Sequence, residues 1–80
     1  MTIEEKDVVR SIAQDIKAQY GTAILTADDF ADYLGVSRQA VYAKIRNGEY
    51  PGQHSGRTYT IPAYSIALWI FNLSKVVAEK

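Results

Sequence analysis

The segment Gly35-Val36-Ser37 separates two short stretches of helical pattern and constrains the fold of this chain more than any other feature. Glycine adopts left-handed backbone angles at no steric cost, so it permits a sharp turn between helices. Serine is a preferred N-cap, because its hydroxyl accepts from the free amides at a helix start. We expect Val36 to fill the corner between a helix that ends at Gly35 and one that begins at Ser37.

Both helices that flank this turn are short. The first has Thr26 as its N-cap, with Asp29 three residues later as a weaker capping partner. The second has Val41 and Ile45 as apolar anchors and ends at Asn47-Gly48, a common C-terminal cap pair. The buried side of the first helix is expected to consist of Phe30, Ala31, Tyr33 and Leu34.

A β-ribbon and a last helix follow the second helix. Gln53-His54 and residues 57–61 are the predicted arms, with Ser55-Gly56 as the tight turn. Pro62 suits the first turn of the last helix. Residues 22–25 are mildly β-prone but long enough only to lead into the next element. The core-facing row of the last helix is predicted to contain Ile66, Trp69, Ile70 and Leu73.

An amphipathic helix is predicted at the N-terminus. Thr2 and Glu5 have the spacing of a capping box, and Gly21 is the natural stop. Apolar residues recur at three- and four-residue steps, which is typical of one buried stripe. That stripe comprises Val8, Val9, Ile12, Ala13, Ile16 and Tyr20.

This order of elements is that of a winged helix-turn-helix. We predict a mainly α fold with a small β-ribbon, in one domain over residues 1–80. Within it, residues 1–21 form a support helix, residues 25–70 the winged helix-turn-helix, and residues 71–80 an extension of the long C-terminal helix. The exposed face of the second short helix is then free to enter a DNA major groove about 12 Å wide.

Charge is segregated along a chain whose formal net charge is zero. Residues 1–33 carry three cations against seven carboxylates, whereas residues 34–61 carry four cations against Glu49 alone. A neutral protein with a basic middle can still present a basic face to nucleic acid.

Composition also excludes several classes of function. The chain has no cysteine and one histidine, so we expect no disulfide, no metal site and no cofactor. Nothing places the serine, aspartate and histidine residues as a catalytic triad, and neither an enzyme nor a small-molecule site is predicted. The longest apolar run, residues 66–71, is too short to span a membrane, and no secretory signal is visible. We expect a cytoplasmic protein.

Residues 25–70 closely resemble the excisionase-type, MerR-like helix-turn-helix family. The matching pieces are LT at the start, LGVSRQAVYAKIRNGEYP in the middle, SGRTYTIP in the wing and the tryptophan that follows. The resemblance implies DNA binding by an excisionase, by a phage or plasmid transcriptional regulator, or by a module of a replication protein. The chain differs from the family pattern in two places, since Ala63-Tyr64-Ser65 is uncharged and Arg57 is the only wing cation at neutral pH.

The resemblance implies a set of DNA-binding residues on the second short helix and the wing. Arg38 and Gln39 lie in the first turn, where family members approach base edges, and arginine and glutamine pair in two-pronged fashion with guanine and adenine. Arg46 and Lys44 are expected at phosphates, with Lys44 the weaker candidate. With Thr26, at the start of the first short helix, the predicted DNA-binding residues are Thr26, Ser37, Arg38, Gln39, Tyr42, Lys44, Arg46 and Arg57.

Three of these residues have alternative interpretations. Arg57 matches the family's wing arginine and is expected to reach a phosphate or the minor groove, the alternative being a plain exposed cation. Tyr42 either donates its hydroxyl to a phosphate or packs against the wing. Thr26 is first an N-cap, at a helix start that could hold one phosphate. His54 is interpreted as a wing residue, and Tyr59 is expected to pack under the ribbon.

The last helix is apolar nearly all round, because Leu68 and Phe71 fall off its core-facing row. Such a helix must be covered on more than one side. The N-terminal stripe can cover one side, and a second copy could cover the other, which predicts a homodimer through the terminal helices. Alternatively, the two added helices simply enlarge an under-sized core.

The sequence thus predicts a non-enzymatic protein that binds double-stranded DNA sequence-specifically. A transcriptional regulator and an excisionase (a recombination directionality factor) both fit, and an inverted-repeat site would favour the first whereas direct repeats would favour the second. The alternative from another class is a helix-turn-helix fold reused as a protein-interaction adaptor, which the zero net charge and sparse wing favour.

Overall fold

The computed structural model describes residues 1–78, and the side chains of residues 1–54 and 56–73. The expectation of a mainly α fold is confirmed, with a helix-turn-helix between an N-terminal and a C-terminal helix. Residues 79–80 of the expected helix extension lie outside the described residues. The elements are α1 (Ile3–Tyr20), β1 (Ile24–Thr26), α2 (Ala27–Leu34), α3 (Arg38–Arg46), β2 (Gln53–Ser55), β3 (Thr58–Pro62) and α4 (Ala63–Ala78).

The predicted helix caps are present. Thr2 accepts from the Glu5 amide at 3.1 Å and donates its own amide to the Glu5 carboxylate, a complete capping box. Thr26 and Asp29 form a second complete box at the start of α2. Each box satisfies amides that an isolated helix start would leave open.

The sheet has three antiparallel strands in the order β1-β3-β2, where a two-armed ribbon was predicted. The additional strand is β1, whose Leu25 lies opposite Ile61 of β3. Both side chains are fully buried, so pairing these strands closes the core beneath the wing. The interpretation of residues 22–25 as a mere lead-in was wrong, because β1 obtains its stability from β3 and not from its own short sequence.

Two details of the ribbon also differ from the prediction. Ser55 pairs with Thr58, so the turn residues are Gly56-Arg57, one position later than expected. Arg57 therefore lies at the tip of the wing and not on an arm. Pro62 ends β3 opposite Ile24 instead of beginning the last helix, since its missing N–H is tolerated at a strand end.

The core forms where α2, α3, the sheet and α4 meet. Phe30 is fully buried, and its ring contacts Tyr50 and Trp69 at centroid distances of 5.4 and 5.9 Å, each edge to face. Tyr50 and Trp69 also pack against each other at 5.1 Å. These rings join the segment after α3 to α4, and so hold the buried side of α3 against the core. The largest fully buried side chains are Phe30, Ile16, Leu25, Ile61, Ile66, Val9 and Val41.

The two terminal helices pack against each other through a separate cluster. Val9 and Ala13 of α1 and Ala67 of α4 are buried there. Leu68 and Phe71, expected to await a second copy, are half-buried and pack against this cluster within the same chain. α1 thus covers the side of α4 that had suggested a dimer interface.

Three apolar residues are more exposed than predicted, namely Val8 (48%), Leu73 (48%) and Val36 (40%). Val8 is beside the buried stripe of α1, which runs through Val9, Ala13 and Ile16. Leu73 follows Asn72, where α4 has passed the end of the core. Val36 does not fill the corner between α2 and α3.

Candidate nucleic-acid interface

The turn between α2 and α3 has the geometry that its sequence dictates. Gly35 is in the left-handed region at φ 74°, and its amide donates to the Ala31 carbonyl at 2.8 Å. The Val36 amide donates to the same carbonyl at 3.0 Å. Ser37 then begins α3, with its hydroxyl accepting from the Ala40 amide at 3.1 Å. As at any helix start, the first-turn amides of α3 that the Ser37 hydroxyl does not bind point away from the body of the helix.

α3 is anchored by one side and exposed on the other. Val41 is completely buried, and Ile45 packs against the main core. Gln39 and Arg46 are exposed, and Tyr42 between them is half-buried. Because positions 39, 42 and 46 are spaced by three and four residues, they share one face of the helix. The structure therefore presents a polar face of α3 to solvent, as the sequence predicted.

Arg38 contacts a carboxylate that sequence reasoning overlooked. Its Nη1 lies 3.3 Å from Asp28 Oδ1 and 3.4 Å from Asp28 Oδ2, across the turn between α2 and α3. The two side chains are 58% and 65% exposed. Asp28 belongs to the acidic first third of the sequence, but the fold brings it next to Arg38 in the basic region. The spacing of the two residues along the chain does not indicate this contact.

Lys44 is directed away from the exposed face of α3. Its Nζ is 3.6 Å from Glu49 Oε1 and 5.5 Å from the centroid of the Tyr50 ring. Both partners belong to the segment that follows α3. A cation above an aromatic face and beside a carboxylate has local partners, so Lys44 is a weaker candidate for DNA contact than Arg46.

Arg46 and Arg57 are the two cations of this region that form no ion pair within the described part of the chain. Both are exposed. Arg46 is the last residue of α3, and Arg57 is at the wing tip. Within the described residues, neither has an ion-pair partner to lose when it approaches a phosphate.

A stack of three rings joins α3 to the wing. The Tyr42 ring lies 5.2 Å from the Tyr59 ring of β3, and Tyr59 lies 5.0 Å from His54 of β2. Of the two interpretations of Tyr42, packing against the wing is the one that the structure displays. His54 belongs to this stack, as a wing residue. The sequence signal for the contact between His54 and Tyr59 is that both positions are aromatic and lie on the two arms of the predicted ribbon.

Thr26 acts as a helix cap. Its hydroxyl accepts from the Asp29 amide and its amide donates to the Asp29 carboxylate, so both of its polar groups have partners. Asp28 and Asp29 add two carboxylates to the first turn of α2. These negative charges oppose a phosphate at that helix start, and the phosphate contact of Thr26 stays a prediction.

The described residues contain no group of three or more His, Cys, Asp or Glu side chains that could hold a metal ion. No described helix is long and apolar enough to cross a membrane.

The short helices, the glycine turn between them and the exposed face of the second helix define a helix-turn-helix protein. A family model described as a helix-turn-helix domain matches residues 24–72, more than half of the chain. The chain therefore belongs to this helix-turn-helix family, whose domain implies DNA binding and is typically non-enzymatic. No curated protein and no solved structure matches the chain.

Proposed function

We propose that this protein binds double-stranded DNA sequence-specifically, with α3 in the major groove and the β2–β3 wing on the adjacent backbone. The observation that carries the proposal is the orientation of α3. Val41 anchors its inner side, while Arg38, Gln39 and Arg46 remain exposed on a helix that begins at a sharp turn. A recognition helix reads base edges with its N-terminal residues in this kind of arrangement.

Each exposed residue then has a separate role. Arg38 and Gln39, in the first turn, read base edges. Arg46 at the far end of α3 and Arg57 at the wing tip bind phosphates, and so set the position of the protein but not its sequence preference. Ser37 and Thr26 shape the helix starts. Lys44 and Tyr42 support the arrangement mainly through Tyr50 and Tyr59, their contacts within the chain.

The charge balance sets how strongly this face binds DNA without regard to sequence. The chain has no net charge, and two of its four central cations already face carboxylates. Sequence-independent binding depends on phosphates neutralised by cations, so it is expected to be weak here. Base contacts must therefore supply a large share of the affinity.

For the biological role we propose a cytoplasmic regulator of a phage, a plasmid or another mobile element, acting in transcription or as an excisionase. The resemblance of residues 25–70 to excisionase-type, MerR-like domains supports this proposal. The two roles differ in the geometry of the DNA site. Inverted repeats would support a regulator, and direct repeats would support an excisionase.

The homodimer stays a prediction. Leu68 and Phe71 pack against the cluster that α1 and α4 form in the same chain, so they offer less apolar surface to a second copy. The alternative that the terminal helices enlarge the core is the one this packing favours. The mass of the protein in solution, alone and on a duplex, would decide between them.

The test of DNA binding is a salt series with a mixed-sequence duplex. Because this face has few unpaired cations, we expect weak binding that is measurable at low salt and falls as salt rises, with a shallower slope in the Arg38→Ala, Arg46→Ala double variant. Circular dichroism should show that the variant folds, since both side chains are exposed. Absence of binding at low salt would reject the proposal and favour the protein-interaction adaptor, which the paired cations also fit.

A further inference from the structure

We propose that Asp28 is a positioning residue for Arg38, and that through this contact it determines the preference of the protein for guanine in its DNA site. This inference rests on the proposed DNA-binding function. Asp28 is the second residue of α2 and Arg38 is the first residue of α3. The contact thus joins the starts of the two helices that form the DNA-binding motif.

The fold fixes both ends of this contact. The capping box of Thr26 and Asp29 holds the first turn of α2, in which Asp28 lies. The left-handed turn at Gly35 and the Ser37 cap hold the first turn of α3. The caps and the turn therefore fix the separation of the two backbone positions from which these side chains extend.

The contact uses only part of the Arg38 guanidinium. Both Asp28 oxygens approach the same nitrogen, Nη1, at 3.3 and 3.4 Å. The guanidinium is a planar fork of five donors, so Nη2 and Nε retain donors for a further acceptor pair. Guanine offers such a pair, O6 and N7, at the edge exposed in the major groove. A carboxylate that holds one nitrogen thus orients the fork before it meets the base.

An acid in the first turn of α2 stabilises that helix through its dipole whether or not it is paired, so stability does not require the contact with Arg38. Asp28 and Arg38 are both more than half exposed, and exposed ion pairs contribute little to folding. On DNA the Asp28 carboxylate would repel the phosphates of every sequence. The oriented Arg38 compensates for this repulsion only at sites where it binds a guanine. An acid at position 28 therefore weakens binding to other sequences more than binding to the correct site, and this difference increases specificity.

The experiment compares two duplexes for each variant. One is recovered by the wild-type protein from a library randomised over about one helical turn, roughly 10 bp, and the other has mixed sequence. The ratio of their dissociation constants measures specificity. The variants are Asp28→Asn, Arg38→Ala and their combination. Glu49→Gln is the matched control, because Glu49 is likewise an exposed carboxylate paired with a cation of α3.

We expect Asp28→Asn to bind the mixed-sequence duplex more tightly than wild type, while its specificity ratio falls roughly two- to fivefold. Glu49→Gln should strengthen binding to both duplexes alike and leave the ratio unchanged. In the Arg38→Ala background, Asp28→Asn should not lower the ratio further. Selection with Asp28→Asn should recover less guanine at the position that the wild-type protein fixes.

Two outcomes would overturn the inference and leave the proposed function intact. The first is an Asp28→Asn ratio equal to that of wild type while Arg38→Ala lowers it, so that Arg38 reads its base unaided. The second is an equal fall of the ratio in Asp28→Asn and Glu49→Gln, which would make the effect one of general charge. Failure of the wild-type protein to select any duplex would instead reject sequence-specific DNA binding itself.

Discussion

The rings of Tyr42 and Tyr59 pack at a centroid distance of 5.2 Å with their planes 34° apart, and they join α3 to β3. His54 extends the contact to β2. β1 pairs with β3 only over Thr60 to Pro62, so toward its exposed tip the wing has two strands, and such a pair of strands is marginally stable alone. The ring stack therefore sets the position of Arg57 relative to the face of α3.

Tyr59→Ala should separate the wing from α3. Loss of a half-buried ring and its aromatic partner is expected to cost about 1–3 kcal/mol of unfolding free energy. DNA affinity of the folded protein should fall as well, because Arg57 no longer has a fixed position. Urea unfolding and duplex binding measure the two effects, and Tyr59→Phe, which keeps the ring, is the control.

Tyr42→Phe distinguishes ring packing from a hydroxyl contact to a phosphate. It keeps the ring that contacts Tyr59, so stability should stay within about 0.5 kcal/mol of wild type. We expect duplex affinity and its salt dependence to be unchanged. A clear loss of affinity in this variant would mean that the Tyr42 hydroxyl binds DNA directly.

Arg46→Ala and Lys44→Ala should differ although both remove one cation from α3. Arg46 is exposed without an ion pair in the described chain, whereas Lys44 faces Glu49 at 3.6 Å. Removing a phosphate contact lowers the salt slope by about one. We expect that decrease for Arg46→Ala and a smaller one for Lys44→Ala. Equal slopes for the two variants would mean that Lys44 leaves Glu49 on binding.

The sequence was sufficient for the parts of the fold that local chemistry determines. The boxes at Thr2 and Thr26, the Ser37 cap and the Gly35 turn all follow from contacts within three or four residues. These short-range signals locate the ends of α1, α2 and α3 to within about a residue. The identity and order of the helices needed no knowledge of the tertiary structure.

Contacts between distant segments were less predictable. β1 is a strand because Leu25 lies opposite Ile61, and Asp28 contacts Arg38 because the turn brings two helix starts together. Neither relationship leaves a periodic pattern in the sequence. The outward face of α3 could be predicted, since it is the complement of Val41 and Ile45. The partners of its charged residues could not.

Thr26→Ala and Ser37→Ala should both destabilise the protein through their helix caps. Loss of an N-cap hydroxyl costs about 1 kcal/mol, which urea unfolding measures. We expect the salt slope of DNA binding by folded Thr26→Ala to equal that of wild type, because Asp28 and Asp29 oppose a phosphate at that helix start. A shallower slope would show that the start of α2 holds a phosphate after all.

Gly52→Ala should be more damaging than Gly48→Ala. At Gly52, φ is 150° and an added Cβ would lie 3.0 Å from Ile45 Cδ1 and 3.2 Å from Ile61 Cγ1. Backbone strain and overpacking together should cost about 2–4 kcal/mol. Gly48 has φ 77° with nothing within 4 Å, so strain alone, about 1–2 kcal/mol, is expected.

The contact with Ile45 can be tested separately. Ile45→Val removes Cδ1, the atom nearest to the added Cβ. In the Gly52→Ala background this second substitution should therefore cost less than it does in wild type. Additive costs, measured by urea unfolding of both single variants and the double variant, would show that the contact with Ile45 Cδ1 contributes nothing to the cost of Gly52→Ala.

Tyr20 should make stability depend on pH in the alkaline range. Its hydroxyl donates to Asp32 Oδ2 at 2.9 Å, and partial burial together with this contact raises the pKa of Tyr20 from 10.0 to about 12. A raised pKa means that the folded state retains the proton longer, so this contribution to stability is complete below pH 10 and is lost between pH 10 and about 12. Tyr20→Phe cannot donate to Asp32 and should cost about 1 kcal/mol at neutral pH. The difference in unfolding free energy between wild type and Tyr20→Phe should then shrink as pH rises through that range, and a difference that stays constant would show that the hydroxyl does not hold its proton through Asp32.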